Sequence, residues 1–245
     1  GVDDYTPGSD ITYDGTDADI DTTLVIDQAK TWHVLVDDIH QKQSKVELVD
    51  NTVRRRAYVL ADTIDQYIAS FAAGVVSAGN VVDAGTPANP DAAYESLVDL
   101  AVKLDEQNVP TDDRFVVVPP WFHGLLLKDD RFVGTGQGAG DATLANGVVG
   151  EAAGFRVLKS NNVPDASTGS GSGDPGADSL ILGGSNQGIT FAEQLVETEA
   201  FRHPYQFADV VRGLAVYGAK LVNADELAVL QVDRPAAASG SGSGA

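Results

Sequence analysis

Histidines are the side chains in this sequence whose type and position most suggest chemistry. His123 is the strongest candidate, because it closes the stretch "VVVPPWFHG" (116–124), and α/β enzymes place their ligands at the carboxyl ends of strands. A catalytic triad needs a nucleophile, and the sequence has neither cysteine nor a G-x-S-x-G motif. His33, His40, His123 and His203 also lack the paired spacing of metal ligands such as H-x-x-x-H. We therefore expect each histidine to be a packed or interfacial residue.

Two further segments imitate binding motifs without completing them. Asp17, Asp19 and Asp21 match the first three ligands of a calcium loop, but Thr22 stands at the glycine position and Gln28 where the last glutamate belongs. A solvated acidic turn is the preferred interpretation, with a loose cation site as the alternative. The glycine-rich stretch 134–140 fits neither phosphate-binding register. The sequence predicts no cofactor, no metal centre and no active site.

The charge balance is the strongest property of the whole sequence. Of 36 acidic residues 28 are Asp, while only 7 of the 16 basic residues are Lys, and the formal net charge is −20. Such an excess repels itself unless salt screens it, and the screening length falls to about 3 Å at molar salt. The composition indicates a protein that works in brine, with an ordinary acidic protein as the alternative. It disfavours nucleic-acid binding through a basic face.

Length and termini add three expectations. The 245 residues suffice for one large domain or two small ones. No apolar run reaches the roughly 18 to 20 residues of a membrane span, and no basic-then-apolar leader is present, so we expect no membrane partner. The sequence contains no methionine, and we therefore expect it to begin downstream of a translation start.

The elements that would position any site begin with a long strand. Residues 22–38, "TTLVIDQAKTWHVLVDD", alternate so that a period of two places five apolar side chains on one face. Together with the turn-like segment before it, this strand predicts a hairpin that projects from the body. Its apolar face is too large to leave in water, so we expect it to lie across a neighbouring subunit. The five residues of that face are Leu24, Ile26, Trp32, Val34 and Val36.

A long helix is predicted next. Apolar residues recur at helical spacing from Val46 to Ala73, and Gly74 is a plausible stop. The triplet Arg54, Arg55 and Arg56 is the chain's basic cluster and spreads over most of one turn. Its default role is to pair with neighbouring acids.

The stretch around His123 is explained by secondary structure alone. A second helix begins at Pro90 with Asn89 as its cap, and it buries a stripe of Leu97, Leu100, Ala101 and Leu104. The strand "RFVVV" (114–118) follows and ends at Pro119, which cannot donate to a sheet. Pro120 then starts a helix whose apolar face is predicted to be Trp121, Leu125 and Leu126. Nothing in the stretch requires catalysis.

The rest of the chain is predicted to be rich in strands. Short strands are expected at 155–160 and 179–183, separated by the low-complexity loop 167–176. Longer strands follow at 193–201, 207–222 and 227–232, and residues 233–245 read as a flexible tail.

The order of these elements resembles the major capsid proteins of tailed viruses, the Hong Kong 97 type. Four phrases carry the resemblance: "TTLVIDQAKTWHVLVDDI", "RFVVVPPWFHGLLLKDDRF", "GFRVLKSNNVP" and "FADVVRGLAVYGAKLVN". They are similar to stretches of capsid proteins from phages of high-GC bacteria and from viruses of archaea. With the excess of Asp, the resemblance favours a tailed virus of a halophilic archaeon.

The resemblance implies an α+β fold with an extended-loop hairpin, a long spine helix, a peripheral-domain sheet and an α/β axial domain. Residues 1–38 would be the extended loop, 39–74 and 192–232 the peripheral domain, 75–191 the axial domain and 233–245 the tail. The family's N-terminal arm would be missing. Some members join subunits through a lysine–asparagine bond, but no motif assigns that role to Lys30, which is the lysine of the loop region.

The function implied is assembly and not catalysis. The chain would form hexamers and pentamers of an icosahedral shell around double-stranded DNA, without specific DNA binding, in virions assembled in the host cytoplasm. Scaffold, portal and decoration proteins would be further partners. An encapsulin-type compartment and an uncharacterised acidic enzyme are the alternatives. Contacts between subunits are predicted at Leu24, Ile26, Trp32, Val34, Val36, Arg54, Arg55 and Arg56.

Overall fold

Two β-sheets organise the chain. The computed structural model describes residues 23–37, 48–129, 150–166 and 178–235. The strands are β1 Gln28–Asp37, β2 Val81–Gly85, β3 Phe115–Val118, β4 Glu151–Ala152, β5 Phe155–Lys159, β6 Asp178–Gly184, β7 Ile189–Arg202, β8 Ala208–Leu221 and β9 Leu227–Asp233. The helices are α1 Leu48–Ala69, α2 Ala72–Ser77, α3 Pro90–Glu106, α4 Pro120–Leu126 and a 3-10 turn at Ala224–Glu226.

The first sheet has three antiparallel strands in the order β1-β8-β7. β1 pairs with β8 along its whole length, from Gln28 opposite Tyr217 to Asp37 opposite Ala208. The predicted strand from residue 22 therefore begins later, at Gln28. The described part of the predicted arm is an edge strand of this sheet, and the other half of the predicted hairpin lies outside the described residues.

The long helix is shorter than predicted and is interrupted. α1 ends at Ala69, and a turn at Ser70 and Phe71 separates it from α2. There the Ser70 hydroxyl donates to the carbonyl of Tyr67 at 2.6 Å, a local bond that competes with the helical pattern. Gly74 does not stop the helix but lies inside α2. A Cβ at Gly74 would stand 3.3 Å from a methyl group of Leu221, so a small residue suits the packing of α2 against the end of β8.

The second sheet has six strands in the order β2-β9-β6-β3-β5-β4, with parallel pairs β2–β9 and β3–β5. α3 and α4 cover one face of this sheet and form the main core. The predicted cap of α3 is confirmed, because the Asn89 side chain accepts from the Ala92 amide at 2.8 Å and Pro90 is the first helical residue. Leu97, Leu100 and Leu104 are fully buried as predicted.

The structure confirms that the stretch around His123 turns a strand into a helix. β3 ends at Val118, Pro119 has extended backbone, and Pro120 opens α4. The predicted apolar face was partly wrong: α4 buries Phe122, His123 and Leu126, while Trp121 and Leu125 are only partly buried. Because the helix has seven residues, the position of the preceding strand, and not its periodicity, decides which side faces the core.

The opposite face of the six-stranded sheet is covered by α2, through Ala72 and Val75. β9 belongs by its hydrogen bonds to this sheet, where it pairs with β2 and β6. The predicted peripheral segment 192–232 therefore contributes strands to both sheets.

Candidate assembly surfaces

Part of the predicted apolar face of β1 is covered by the chain itself. Val34 is buried, and Trp32 lies against Gly213 of β8, where an added Cβ would stand 2.4 Å from the indole nitrogen. Tyr217 shares this face and contacts Tyr67 of α1, with ring centroids 5.7 Å apart. α1 therefore packs on the side of the sheet to which this face points.

The segment before β1 follows the same strand. A Cβ at Gly218 would meet the carbonyl oxygen of Val25 at 2.4 Å, and the Lys220 ammonium donates to the carbonyl of Thr23 at 2.9 Å. Leu24 and Ile26 remain partly exposed here, as does Trp32. The backbone of Val36 pairs with Asp209. A role of these five residues between subunits stays a prediction, supported only by the surface that the chain leaves uncovered.

The other face of the three-stranded sheet is open, and the sequence did not single it out. Leu35 and Phe201 are 46% and 40% exposed and flank Val210 in one cross-strand row. In the next row the Arg212 guanidinium binds Glu199 at 2.6 Å and lies 5.1 Å from the ring centre of Phe201. The sequence contained a signal for this face in Leu35, an apolar residue at an odd-numbered position of β1. The prediction considered only the apolar residues at even-numbered positions.

The arginine triplet is exposed on α1. Arg54, Arg55 and Arg56 form no ion pair with any residue in the described ranges, so the expected pairing with neighbouring acids is not observed there. Three cations without an ion pair among the described residues, on a chain of net charge −20, are suited to an acidic neighbour. Their contact with another subunit remains a prediction.

An apolar cavity of about 390 Å³ separates the end of α1 from the six-stranded sheet. It lies on the sheet face that α2 also contacts, and the start of β7 lines it through Ile189 and Phe191. Asp65 lies at its α1 side, where burial and, to a lesser extent, the Asp62 carboxylate raise the pKa of Asp65. The apolar lining includes Phe115, Val117, Leu158, Leu180, Ile189 and Phe191.

His123 is a core residue. It is 6% exposed on α4, and burial, followed by the nearby Lys159 ammonium, lowers its pKa. A neutral, buried imidazole agrees with the predicted packing role. His33 is exposed and His203 partly exposed, while His40 lies outside the described residues.

The structure does not test the two segments that imitate a calcium loop and a phosphate-binding loop. Residues 17–21 and 134–140 lie outside the described ranges. Within those ranges no group of three or more His, Asp or Glu side chains is placed to hold a metal ion.

One helical stretch, Asn51–Ser77, is long and apolar enough by composition to cross a membrane, contrary to the expectation that none would be. It spans α1, the turn at Ser70 and α2, and little of it is buried in the chain. Arg54, Arg55 and Arg56 stand in its first turns. Composition alone does not separate a membrane span from a helix whose apolar side is covered by other protein.

The sequence matches a known protein family over most of its length. A family model described as phage capsid protein matches residues 13–232. The chain belongs to the phage capsid protein family. This capsid protein is a major capsid protein, a structural subunit of a virion shell. A search of curated proteins found no match.

Solved structures confirm the α+β fold of the Hong Kong 97 type. A protein of Mycobacterium phage Che8 is 27% identical with a TM-score of 0.70, over 84% of this capsid protein and 71% of that chain. The capsid of cyanophage P-SCSP1u is 16% identical with a TM-score of 0.69, over 96% and 80%. The SrpI encapsulin of Synechococcus elongatus PCC 7942 shares the fold at 15% identity and a TM-score of 0.54, over 84% and 74%.

Proposed function

We propose that this major capsid protein forms the hexamers and pentamers of an icosahedral shell that encloses the double-stranded DNA of a tailed virus. The observation that carries the proposal is the family match over residues 13–232, together with a fold similar to phage capsid structures. The partly uncovered α1 and the open sheet face support it, because a shell subunit needs several different contact surfaces.

The domain assignment is part of this proposal. In this proposal residues 1–38 belong to the extended loop, 39–74 with 192–232 to the peripheral domain and 75–191 to the axial domain. The predicted tail 233–245 lies outside the described residues from 236 onward, and its first residue, Asp233, still pairs in β9. The separation of the two sheets supports the division between peripheral and axial parts, with β9 returning to the axial sheet. The extended loop includes β1, whose pairing with β8 anchors it to the peripheral sheet.

The shell works without catalysis and without specific DNA binding. The buried, neutral position of His123 leaves the most enzyme-like stretch with a packing role. A net charge of −20 opposes tight contact between the shell lining and packaged DNA. Assembly takes place in the host cytoplasm, with scaffold, portal and decoration proteins as further partners.

The proposed source is a tailed virus of a halophilic archaeon. The support is compositional: 28 Asp against 7 Lys in a chain of net charge −20. High salt would screen this charge on a shell where many copies lie side by side.

An encapsulin-type compartment is the second candidate, because the SrpI encapsulin has the same fold. The phage capsid family match and the 27% identity to a phage protein favour the virus. Electron microscopy of particles purified from infected cells, with analysis of their contents, separates the two. Shells that contain DNA and carry tails support the virus, whereas shells that contain a cargo enzyme support the compartment. Absence of any shell would contradict both.

A further inference from the structure

The cavity beside α1 is elongated along the strands of the six-stranded sheet. Its volume of about 390 Å³ lies in the range of pockets that hold small molecules. Leu180 and Ser185, toward opposite ends of β6, both line it. Along a strand this separation corresponds to roughly 16 Å at about 3.3 Å per residue. An extended chain covers about 3.6 Å with three bonds, so the cavity accommodates a single aliphatic chain of roughly 13 bonds.

The sheet face inside the cavity is apolar along this length. Val117 of β3 pairs with Leu158 of β5 on one side and with Leu182 of β6 on the other. Phe115 continues the same face of β3 toward Ser185. Phe115 and Val117 are only partly buried and Leu158 is 39% exposed, so the described chain does not fully cover them. Burial of such apolar surface is the main source of affinity for an apolar ligand.

One end of the cavity is polar, where α1 meets the loop after β5. The Asn162 side-chain amide donates to the Asp62 carboxylate at 2.7 Å, and the Gln66 amide donates to the Asn162 side-chain oxygen at 3.5 Å. These bonds hold this turn of α1 beside Asn162, and Asp65 of the same turn lines the cavity. Asp65 is exposed, which places its carboxylate at the rim. Asp62 is paired, whereas Asp65 has no hydrogen bond or ion pair to another described residue.

The charge at the rim distinguishes between possible head groups of a ligand. Asp62 and Asp65 lie one helical turn apart, and no basic side chain of the described ranges lines the cavity. An anionic head group would add a third negative charge there, on a chain whose net charge is already −20. An ammonium group would instead compensate the carboxylate of Asp65 and has three hydrogen atoms to donate. The rim is therefore suited to a cation, and the interior to an apolar chain.

We propose that the cavity beside α1 binds a single-chain amphiphile with an ammonium head group. The apolar tail lies along β3, β5 and β6, and the head group binds the Asp65 carboxylate at the rim. The Ser160 hydroxyl lines the same end and offers a second acceptor. This small-molecule site does not depend on the proposed shell function. Because the ligand fills the gap between α1 and the six-stranded sheet, its binding stabilises the folded chain.

A series of primary n-alkylamines tests the shape of the cavity. Calorimetric titration of the full chain in about 1 M salt measures each affinity below the concentration at which the amine aggregates. The screening length of about 3 Å at this salt suppresses the general attraction of cations to an acidic chain. We expect saturable binding at one site per chain, with an affinity that rises roughly three- to fourfold per methylene and levels off beyond about 13 carbons. An affinity that rises without levelling off would show adsorption to the surface and would overturn the proposal.

Dodecylamine, dodecanol and dodecanoate test the head group, since they share one tail length. We expect the amine to bind most tightly and the carboxylate least tightly. Asp65→Asn should weaken dodecylamine binding about two- to fivefold, as for an exposed ion pair, and leave dodecanol binding unchanged. Asp99→Asn is the matched control, because Asp99 is an exposed helical aspartate on α3, which covers the other face of the sheet. Equal losses for amine and alcohol, or an equal loss in the control variant, would overturn the role of Asp65.

A larger side chain inside the cavity tests where the tail lies. Val117→Phe should lower dodecylamine affinity at least tenfold with unchanged circular dichroism, because the ring occupies the space of the tail. Val102→Phe on exposed α3 is the control and should bind normally. Normal binding by folded Val117→Phe would overturn the proposal. If Val117→Phe does not fold, the head-group comparison still decides, since Asp65 is exposed and its replacement leaves the core untouched.

Binding to free chains and to assembled shells separates the ligand from other occupants of the cavity. We expect dodecylamine to bind both and to raise the melting temperature of the free chain. Binding to free chains but not to shells would show that a neighbouring subunit occupies the cavity. No binding to either would show that another part of the chain fills it. Both of these outcomes would overturn the proposal and leave the capsid function standing.

Discussion

At the scale of single residues, His123 illustrates how a side chain of catalytic type can serve only packing. Burial on α4 and the neighbouring Lys159 lower its pKa from the ordinary value of 6.5. The unfolded chain therefore binds this proton at a higher pH than the folded chain does. The contribution of His123 to stability is fully present above about pH 6.5 and is lost as pH falls toward the folded pKa.

We expect His123→Gln to assemble shells in nearly normal yield and to lose part of the acid sensitivity of unfolding between neutral and mildly acidic pH. Chemical denaturation followed at several pH values measures this effect. His33→Gln is the matched control, because His33 is exposed. Normal shells with abolished infectivity would instead reveal a function of His123 beyond packing.

Tyr217 presents a second residue-scale case. It is completely buried on β8, and its hydroxyl has no hydrogen-bond partner within the described part of the chain. An unpaired buried hydroxyl costs free energy, whereas the ring packs against Tyr67 and Phe191. We expect Tyr217→Phe to keep or raise the free energy of unfolding, and Tyr217→Ala to lower it by about 3–5 kcal/mol. A clearly destabilised phenylalanine variant would show that the hydroxyl has a partner.

At the scale of elements, the packing of Trp32 on Gly213 fixes β1 to β8. A methyl group at Gly213 would clash with the indole, so Gly213→Ala should lower the free energy of unfolding by about 1–3 kcal/mol. The loss should shrink in a Trp32→Ala background, where the clash is removed. Gly124→Ala is the control, since nothing lies near its added Cβ and the position is helical.

Equal losses at Gly213 in both backgrounds would contradict this contact. Trp32→Ala alone also tests the predicted role between subunits. If the exposed part of the indole contacts a neighbour, shell yield should fall more than the moderate loss of monomer stability explains. Shell yield that follows monomer stability alone would place Trp32 entirely in its own subunit.

At the scale of the whole molecule, the net charge of −20 is the dominant property. Lowering salt from molar to about 0.1 M lengthens the screening distance from about 3 Å to about 10 Å and restores repulsion between acidic groups. We expect the melting temperature to fall and the shells to loosen or dissociate on dialysis to the lower salt. Calorimetry and electron microscopy follow the two effects. Unchanged melting and unchanged shells would refute the halophilic source without touching the capsid function.

The sequence by itself determined the elements that rest on local chemistry. Asn89 and Pro90 start α3, and Pro119 and Pro120 join β3 to α4, because capping and the missing proline amide act within a few residues. The alternation of residues 24–34 was likewise readable, since side chains of a strand point to opposite faces. The order of such elements, with four characteristic phrases, was enough to indicate the capsid family.

Only the tertiary structure decided what each face of β1 meets. Periodicity separates two faces but does not say which one another element covers, and here α1 packs on the face that holds Val34, while β8 lies beside β1 in the same sheet. The interruption at Ser70 and the return of β9 to the six-stranded sheet were also beyond the sequence. The cavity beside α1 is formed by residues from six elements, distant in the chain. Packing between distant segments depends on the whole arrangement of the core, and no local pattern encodes it.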